Sequence, residues 1–281
     1  MYPIVSRRDL TKGIVLFEVQ APAVAAKAQP GQFIIVRANE QGERIPLTVM
    51  DFNRDKGTIT IVIQEVGYSS TIINRFQVGD QFLDFVGPLG LPTEIENYGR
   101  VACVSGGLGA APMYPIARAL KAAGNEVISI IGARNKDLII LTEEMEAVSD
   151  KLLISTDDGS AGIKGFATTA LGQVLEETGT LDHVWAIGPM IMMRSIVEFT
   201  RPQAIKTLVS MNPIMVDGTG MCGACRISVG GETKFACVDG PEFDGHLVDF
   251  DLAMRRSQYF KDEEKRALAR LSCGGGGCGC H

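Results

Sequence analysis

From Gly99 to about residue 211 the chain alternates apolar runs of strand length with longer stretches of helical pattern. No other feature narrows the fold as much. Strands are predicted near 100–105, 126–131, 151–156, 182–187 and 205–210. Helices are predicted near 111–123, 137–148, 164–178 and 190–200, and Pro112 and Gly124 frame the first of them. Such alternation packs helices on both faces of a sheet, so residues 98–211 are expected to form a doubly wound parallel α/β nucleotide domain.

The segment before it reads differently. "GIVLFEVQ", "GQFIIVRAN", "RIPLTVMDF", "GTITIVIQEV" and "GDQFLDFVG" are short, β-rich and bounded by turn formers. Ile59, Ile61 and Ile63 alternate with Thr58, Thr60 and Val62, which gives one buried face. Residues 1–90 are therefore expected to form an antiparallel β-barrel, with a short helix over 70–76. "FVGPLGLP", residues 85–92, reads as a hinge. A cysteine-bearing module follows at 212–247, then a helical tail and a Cys/Gly-rich end over 248–281.

Composition excludes several function classes. The 281 residues are 46% hydrophobic and 21% charged, with a formal charge of −6 and 6% aromatics. An acidic, aromatic-poor chain does not fit nucleic acid or an anionic membrane. The longest uncharged stretch, Val101 to Ala117, is interrupted by glycines and prolines and is too short to span a bilayer. "MYPIVSRRDL" has no signal pattern, so a cytoplasmic location is expected. The seven cysteines are odd in number and clustered, which favours metal over a disulfide frame. Cys103 lies alone in an apolar strand and reads as core.

"CVSGGLGAAP" places Gly106, Gly107 and Gly109 between a strand and a helix. Backbone N–H groups at such a turn can face a pyrophosphate. The dinucleotide fingerprint is incomplete: Pro112 stands at the third glycine position, and Ser129 and Ile130 stand where an acid is expected. Taken alone, a plain tight turn remains open. "AIGPMIMM" supplies a second strand-end turn, Gly188, Pro189 and Met190, although its methionines equally suit a core. Arg134 follows the second parallel strand, where it would meet a 2′-phosphate or stack on adenine. Asp157 and Asp158 in "STDDGSAG" read equally as mouth or turn residues, and the lone His183 reads as structural.

A β-rich half followed by a parallel half with these turns resembles the ferredoxin–NADP reductase superfamily. The resemblance implies FAD on the first domain and NAD(P)H on the second. The flavin motif R-x-P-x-[ST] is matched by "RIPLT", with Arg44, Pro46, Leu47 and Thr48. It implies that Arg44 pairs with flavin phosphates and that Thr48 offers a hydroxyl to the flavin. The Gly-x-x-[ST] element is matched by "GYSST", with Gly67, Ser69, Ser70 and Thr71 at the pyrophosphate. A surface charge and a simple helix cap are the alternatives for these residues.

"DGTGMCGACRI" opens the last module. With Cys237 the spacing is D-x4-C-x2-C-x11-C, so Asp217 stands where the plant-type [2Fe–2S] pattern has its first cysteine. The metal set is Asp217, Cys222, Cys225 and Cys237. "RISVGGETKF" is expected to be a hairpin pairing Val229 with Glu232, which brings Cys225 beside Cys237. Structural zinc on these cysteines with His246 or Asp217 remains the rival reading.

The segment from Met211 to Asp251 closely resembles the small subunit family of NADH-dependent reduced ferredoxin:NADP oxidoreductase, also known as a sulfide dehydrogenase subunit. It is more distantly similar to the electron-transfer subunit of dihydroorotate dehydrogenase. The resemblance implies an electron-transfer flavoprotein subunit with FAD, a [2Fe–2S] cluster and NAD(H) in preference to NADP(H). It further implies a heterodimer with a larger flavin and [4Fe–4S] subunit that bifurcates electrons and reaches ferredoxin indirectly. No side chain of this chain is then required for acid–base catalysis. The alternatives are an electron-transfer subunit of dihydroorotate or sulfide dehydrogenase, a free-standing flavin reductase with zinc, or a thiol or iron sensor. Cys273, Cys278, Cys280 and His281 are expected to form a mobile tail.

Overall fold

The computed structural model describes residues 1–272. The predicted tail with Cys273, Cys278, Cys280 and His281 lies outside the described residues.

The first region comprises β1 (Tyr2–Thr11), β2 (Ile14–Gln20), α1 (Pro22–Ala25), β3 (Phe33–Arg37), β4 (Ile45–Thr48), β5 (Asp51–Asn53), β6 (Thr58–Gln64), α2 (Tyr68–Asn74), β7 (Gln81–Phe82) and β8 (Asp84–Leu89). Hydrogen bonding divides its strands into two antiparallel sheets, β5-β6-β2-β1-β7 and β4-β3-β8. Ile59, Ile61 and Ile63 all point inward, as the alternation predicts, and meet Phe17, Ile34, Val36 and Phe85 in one core shared by both sheets. Each such side chain, fully withdrawn from water, contributes about 1.5–3 kcal/mol.

The second region comprises β9 (Arg100–Gly106), α3 (Ala110–Ala122), β10 (Glu126–Ala133), α4 (Thr142–Ala147), β11 (Lys151–Thr156), β12 (Ile163–Lys164), α5 (Ala167–Thr178), β13 (His183–Ile187), α6 (Met190–Thr200) and β14 (Lys206–Ser210). Its sheet runs β12-β11-β10-β9-β13-β14, all parallel. The alternation along β9 serves two cores. Val101 and Cys103 meet Met113, Ile116 and Leu120 of α3, while Ala102 and Val104 meet Ala170 and Leu171 of α5 and Ile196 of α6. A strand covered on both faces reads as a continuous apolar run.

Of the helix predicted over 137–148, only the second half forms. A 3₁₀ turn at Lys136–Leu138 precedes the short α4, and Leu141 takes φ 58°. Ile140 and Leu141 leave the helix to pack with Ile14, Met50, Val62, Ala110 and Ala111, which joins the two regions. Burial here overrides a helical sequence preference.

The last region holds β15 (Arg226–Val229), β16 (Glu232–Phe235), β17 (Glu242–Asp244), α7 (Phe250–Arg256) and α8 (Lys261–Ser272). The predicted hairpin forms with Val229 opposite Glu232. The single helical tail is instead two helices, and the Asp249 side chain caps α7 by accepting from Leu252 N at 2.8 Å. β17 was not expected. It pairs antiparallel with β14 and extends the nucleotide sheet by one strand, so the cysteine module is not an appended unit. Residues 85–92 are no free hinge either. Leu91 N donates to Gly240 O at 2.7 Å, and Thr93 Oγ1 donates to Glu242 Oε1 at 2.6 Å. Among the described residues no helix is long and apolar enough to cross a membrane.

Candidate functional site

A cleft of about 860 Å³ opens between the two larger regions. It lies beyond the carboxyl ends of β9, β10, β11 and β13, where strand order reverses between β9 and β13. Open parallel sheets bind ligands at such a point. Pro46, Leu47 and Thr48 of β4 form one wall, and Gly106, Gly107, Gly109, Gly188 and Pro189 form the other.

The glycines of the two turns do different work. A Cβ at Gly109 would stand 2.1 Å from Ile187 O, and one at Gly188 would stand 3.0 Å from Gly106 Cα. These residues let the two turns touch. Gly107 has φ 53° and nothing within 4 Å of a built Cβ, so its missing side chain leaves open space in the cleft. That vacancy fits a bound nucleotide phosphate. Arg134 and Asp157 also line the cleft, at the ends of neighbouring strands. Met190 packs against the core, and Ile191 and Met192 line the cleft in its place.

The second flavin element is more self-contained. Ser70 Oγ accepts from Gly67 N at 2.8 Å and Val66 N at 3.0 Å, which caps α2. Ser69 Oγ lies 3.4 Å from Glu43 Oε2, and Ser69, Ser70 and Thr71 are all buried. The Arg44 guanidinium lies outside the cleft wall. Its Nε donates to Val216 O at 3.1 Å, its Nη2 reaches Asp217 O at 3.5 Å, and its Nη1 is 3.9 Å from Asp84. Phosphates do not account for this orientation.

The cysteine loop places the four residues of the spacing in two pairs. Cys225 and Cys237 are buried and unbridged, with sulfurs 3.2 Å apart across the base of the hairpin. Cys222 is exposed beside Asp217. Backbone N–H groups of Ala224, then of Asp217 and Val216, hold its thiol below the usual range. Burial pushes Cys237 up to about 12. The Asp217 carboxylate accepts from the Thr219 hydroxyl and from Thr219 N at 3.0 Å, and these bonds hold it below the usual carboxylate range. Gly218, Gly220 and Gly223 all have positive φ, which allows the amides to curl inward.

Among the described residues no group of three His, Cys, Asp or Glu side chains converges as one metal ion requires. His246 Nε2 lies 2.9 Å from Ile205 O and does not join the cysteines. His183 lies between Tyr98 and Trp185, and burial lowers its pKa. Cys103 is fully buried, with its thiol pushed up to about 12.

Residues 212–249 match the iron–sulfur cluster binding domain of dihydroorotate dehydrogenase B, and residues 103–198 match the oxidoreductase NAD-binding domain. The chain is 47% identical over 268 residues to the dihydroorotate dehydrogenase B (NAD(+)) electron transfer subunit homolog of Thermotoga maritima, covering 95% of this chain and 94% of that one. It is 32% identical to the electron transfer subunit of Clostridium perfringens, over 86% of this chain and 94% of the relative. It belongs to the dihydroorotate dehydrogenase B electron transfer subunit family. A chain from the solved structure of NADH-dependent reduced ferredoxin-NADP oxidoreductase superposes with a TM-score of 0.92 at 46% identity, covering 97% of this chain and 98% of that one. The fold is thus that of the ferredoxin–NADP reductase superfamily.

In this electron transfer subunit, several cleft residues had no role assigned from the sequence. Phe33, Val62 and Gln64 come from the first region, and Met211, Asn212 and Met215 come from the segment leading into the cysteine loop. The last three carry the cleft towards Asp217, and only the adjacency of that segment to the loop hinted at them.

Proposed function

We propose that the chain exchanges hydride between NAD(H) and FAD and passes single electrons through a [2Fe–2S] cluster to or from a larger partner subunit. One observation carries the reading: a single cleft joins the flavin motif of β4, both nucleotide turns and the approach to the cysteine loop. A bound flavin supplies two-electron hydride acceptance with one-electron release, and a two-iron cluster carries electrons singly.

The residues present fit those groups. The two antiparallel sheets serve as a flavin barrel over residues 1–90, and the β11-β10-β9-β13-β14 order as a doubly wound nucleotide domain over 98–211. Pro46, Leu47 and Thr48 shape the flavin wall, with Thr48 offering its hydroxyl. The turn Gly67–Thr71 would meet the phosphates, and Arg44, whose guanidinium holds Val216 O and Asp217 O, would reach them only by turning away from the cysteine loop. Gly106, Gly107, Gly109, Gly188 and Pro189 bind the nicotinamide nucleotide, with Arg134 at its adenosine end. Asp217, Cys222, Cys225 and Cys237 would hold the cluster. The module 212–247 places the metal ligands, and the location is cytoplasmic.

The likeness to NADH-dependent reduced ferredoxin-NADP oxidoreductase favours an electron-bifurcating heterodimer, with ferredoxin reached through a partner that carries flavin and [4Fe–4S] clusters. Co-purification of the native complex under anaerobic conditions tests this. We expect flavin bands, two irons per chain of this subunit, NADH oxidation and a larger flavin-bearing partner. A dihydroorotate dehydrogenase partner would redirect the reading to pyrimidine oxidation. A yellow, iron-free protein with zinc would refute the cluster.

A further inference from the structure

The cysteine loop has an unusual division of its backbone groups. The carbonyls of Val216, Asp217 and Ala224 are all taken by arginines, while other amides of the loop turn inward. Arg44 of the first region donates to Val216 O and Asp217 O. Arg256, from α7, donates to Ala224 O at 3.3 Å and lies over the Tyr259 ring. Arg226, at the start of β15, donates to Gly223 O at 3.2 Å. Inside the loop, Thr219 N donates to Asp217 Oδ2 at 3.0 Å and Met221 N donates to the same oxygen at 3.4 Å. Three cations from three elements therefore hold the outer side of one loop, and its amides hold the inner side.

A peptide unit whose carbonyl is drawn one way points neighbouring amides the other way, and glycines with positive φ permit that alternation. The outer bonds bias the loop towards its amide-in conformation. They also fix three positive charges beside a centre that gains one negative charge on one-electron reduction. Fixed positive charge favours the reduced form, most strongly where water is scarce.

We infer that Arg44, Arg226 and Arg256 are positioning residues that set the reduction potential of the metal centre by holding the loop carbonyls outward. This rests on the cluster reading above. Because the flavin motif contains Arg44, the same side chain ties the geometry of the flavin wall to that of the loop.

The test uses the full chain in its native complex, purified anaerobically, with Arg226→Gln, Arg256→Gln, the double variant, and Arg255→Gln as a control. Arg255 is exposed on the same helix and donates to no loop carbonyl. Redox titration followed by electron paramagnetic resonance reads the one-electron potential of the cluster, and iron per chain reads its retention. We expect each single variant to lower the reduction equilibrium about threefold. The double variant should lower it about tenfold, which is 59 mV for one electron, and Arg255→Gln less than twofold. Single variants that hold full iron at wild-type potential would overturn the inference. So would an Arg255→Gln shift as large as that of Arg256→Gln. If the double variant loses its iron, the single variants still decide. Iron absent from the wild-type complex would instead sink the functional reading itself.

Discussion

The nucleotide turns and the cysteine loop both aim backbone amides at a negatively charged ligand, but they are held in opposite ways. The turns at Gly106–Gly109 and Gly188 are fixed by backbone pressed on backbone at the end of a parallel sheet, with Gly109 against Ile187 O. The cysteine loop has no such bed. Its outer carbonyls depend on Arg226 beside the loop and on Arg44 and Arg256 from distant parts of the sequence. The nucleotide turns are set by steric exclusion and should fail when a methyl is added at Gly109, whereas the cysteine loop is set by side-chain charge and should shift gradually.

The sharpest break is expected at the hairpin. Cys237→Ala removes one of two buried sulfurs 3.2 Å apart, and iron and sulfide analysis should find the cluster lost while flavin stays bound. Next is Gly109→Ala. A Cβ 2.1 Å from a carbonyl oxygen cannot be accommodated by rotating a side chain, so we expect a loss of about 3 kcal/mol or more in chemical denaturation. Full stability would show that the turns are less tightly pressed than their contacts imply. Asp217→Cys should keep two irons yet change the cluster's spectrum and potential; an unchanged potential would remove the aspartate from the ligand set.

Gly107→Ala sharpens the comparison from within the same turn as Gly109. Nothing crowds its Cβ, but φ 53° is unfavourable for alanine, so stability should fall by only about 1 kcal/mol. Nucleotide titration should show a larger loss in affinity than that strain explains, because the methyl enters the cleft. The smallest effect concerns Glu242, which ties Thr93 and Trp185 together on β17. Burial raises its carboxyl above 4.5, against the opposing hydrogen bonds from Thr93 and Trp185. The folded protein then holds this proton more tightly than the unfolded chain. The stabilisation is complete below pH 4.5 and fades as pH rises through the raised value. Glu242→Gln does not titrate, so denaturation at several pH values should show a flatter profile above pH 4.5 than the parent's.

What was legible in the sequence follows from how local its causes are. The parallel strands, helices α3, α5 and α6, and the hairpin register each depend on residues a few positions apart, and each was read to within a few residues. The cleft brings together most of the residues assigned to the nucleotide and, of those assigned to flavin, Pro46, Leu47 and Thr48. The rest depended on distant partners. Ile140 and Leu141 left a helix to fill the gap under Ile14 and Val62. Glu242–Asp244 became a strand only because β14 offered it an edge. Arg44 fits a flavin motif, yet its guanidinium turns to a loop more than 170 positions away.

That added strand has a consequence for how the molecule ages. β17 caps the sheet at β14, so any loosening of the metal-bearing module strips a hydrogen-bonded rim from the structure's largest sheet. A bared rim is a template on which another chain can dock its own backbone. Oxygen damage to the centre would then do more than stop electron flow: it would tend to turn spent molecules into seeds for clumping, beginning at Lys206–Ser210.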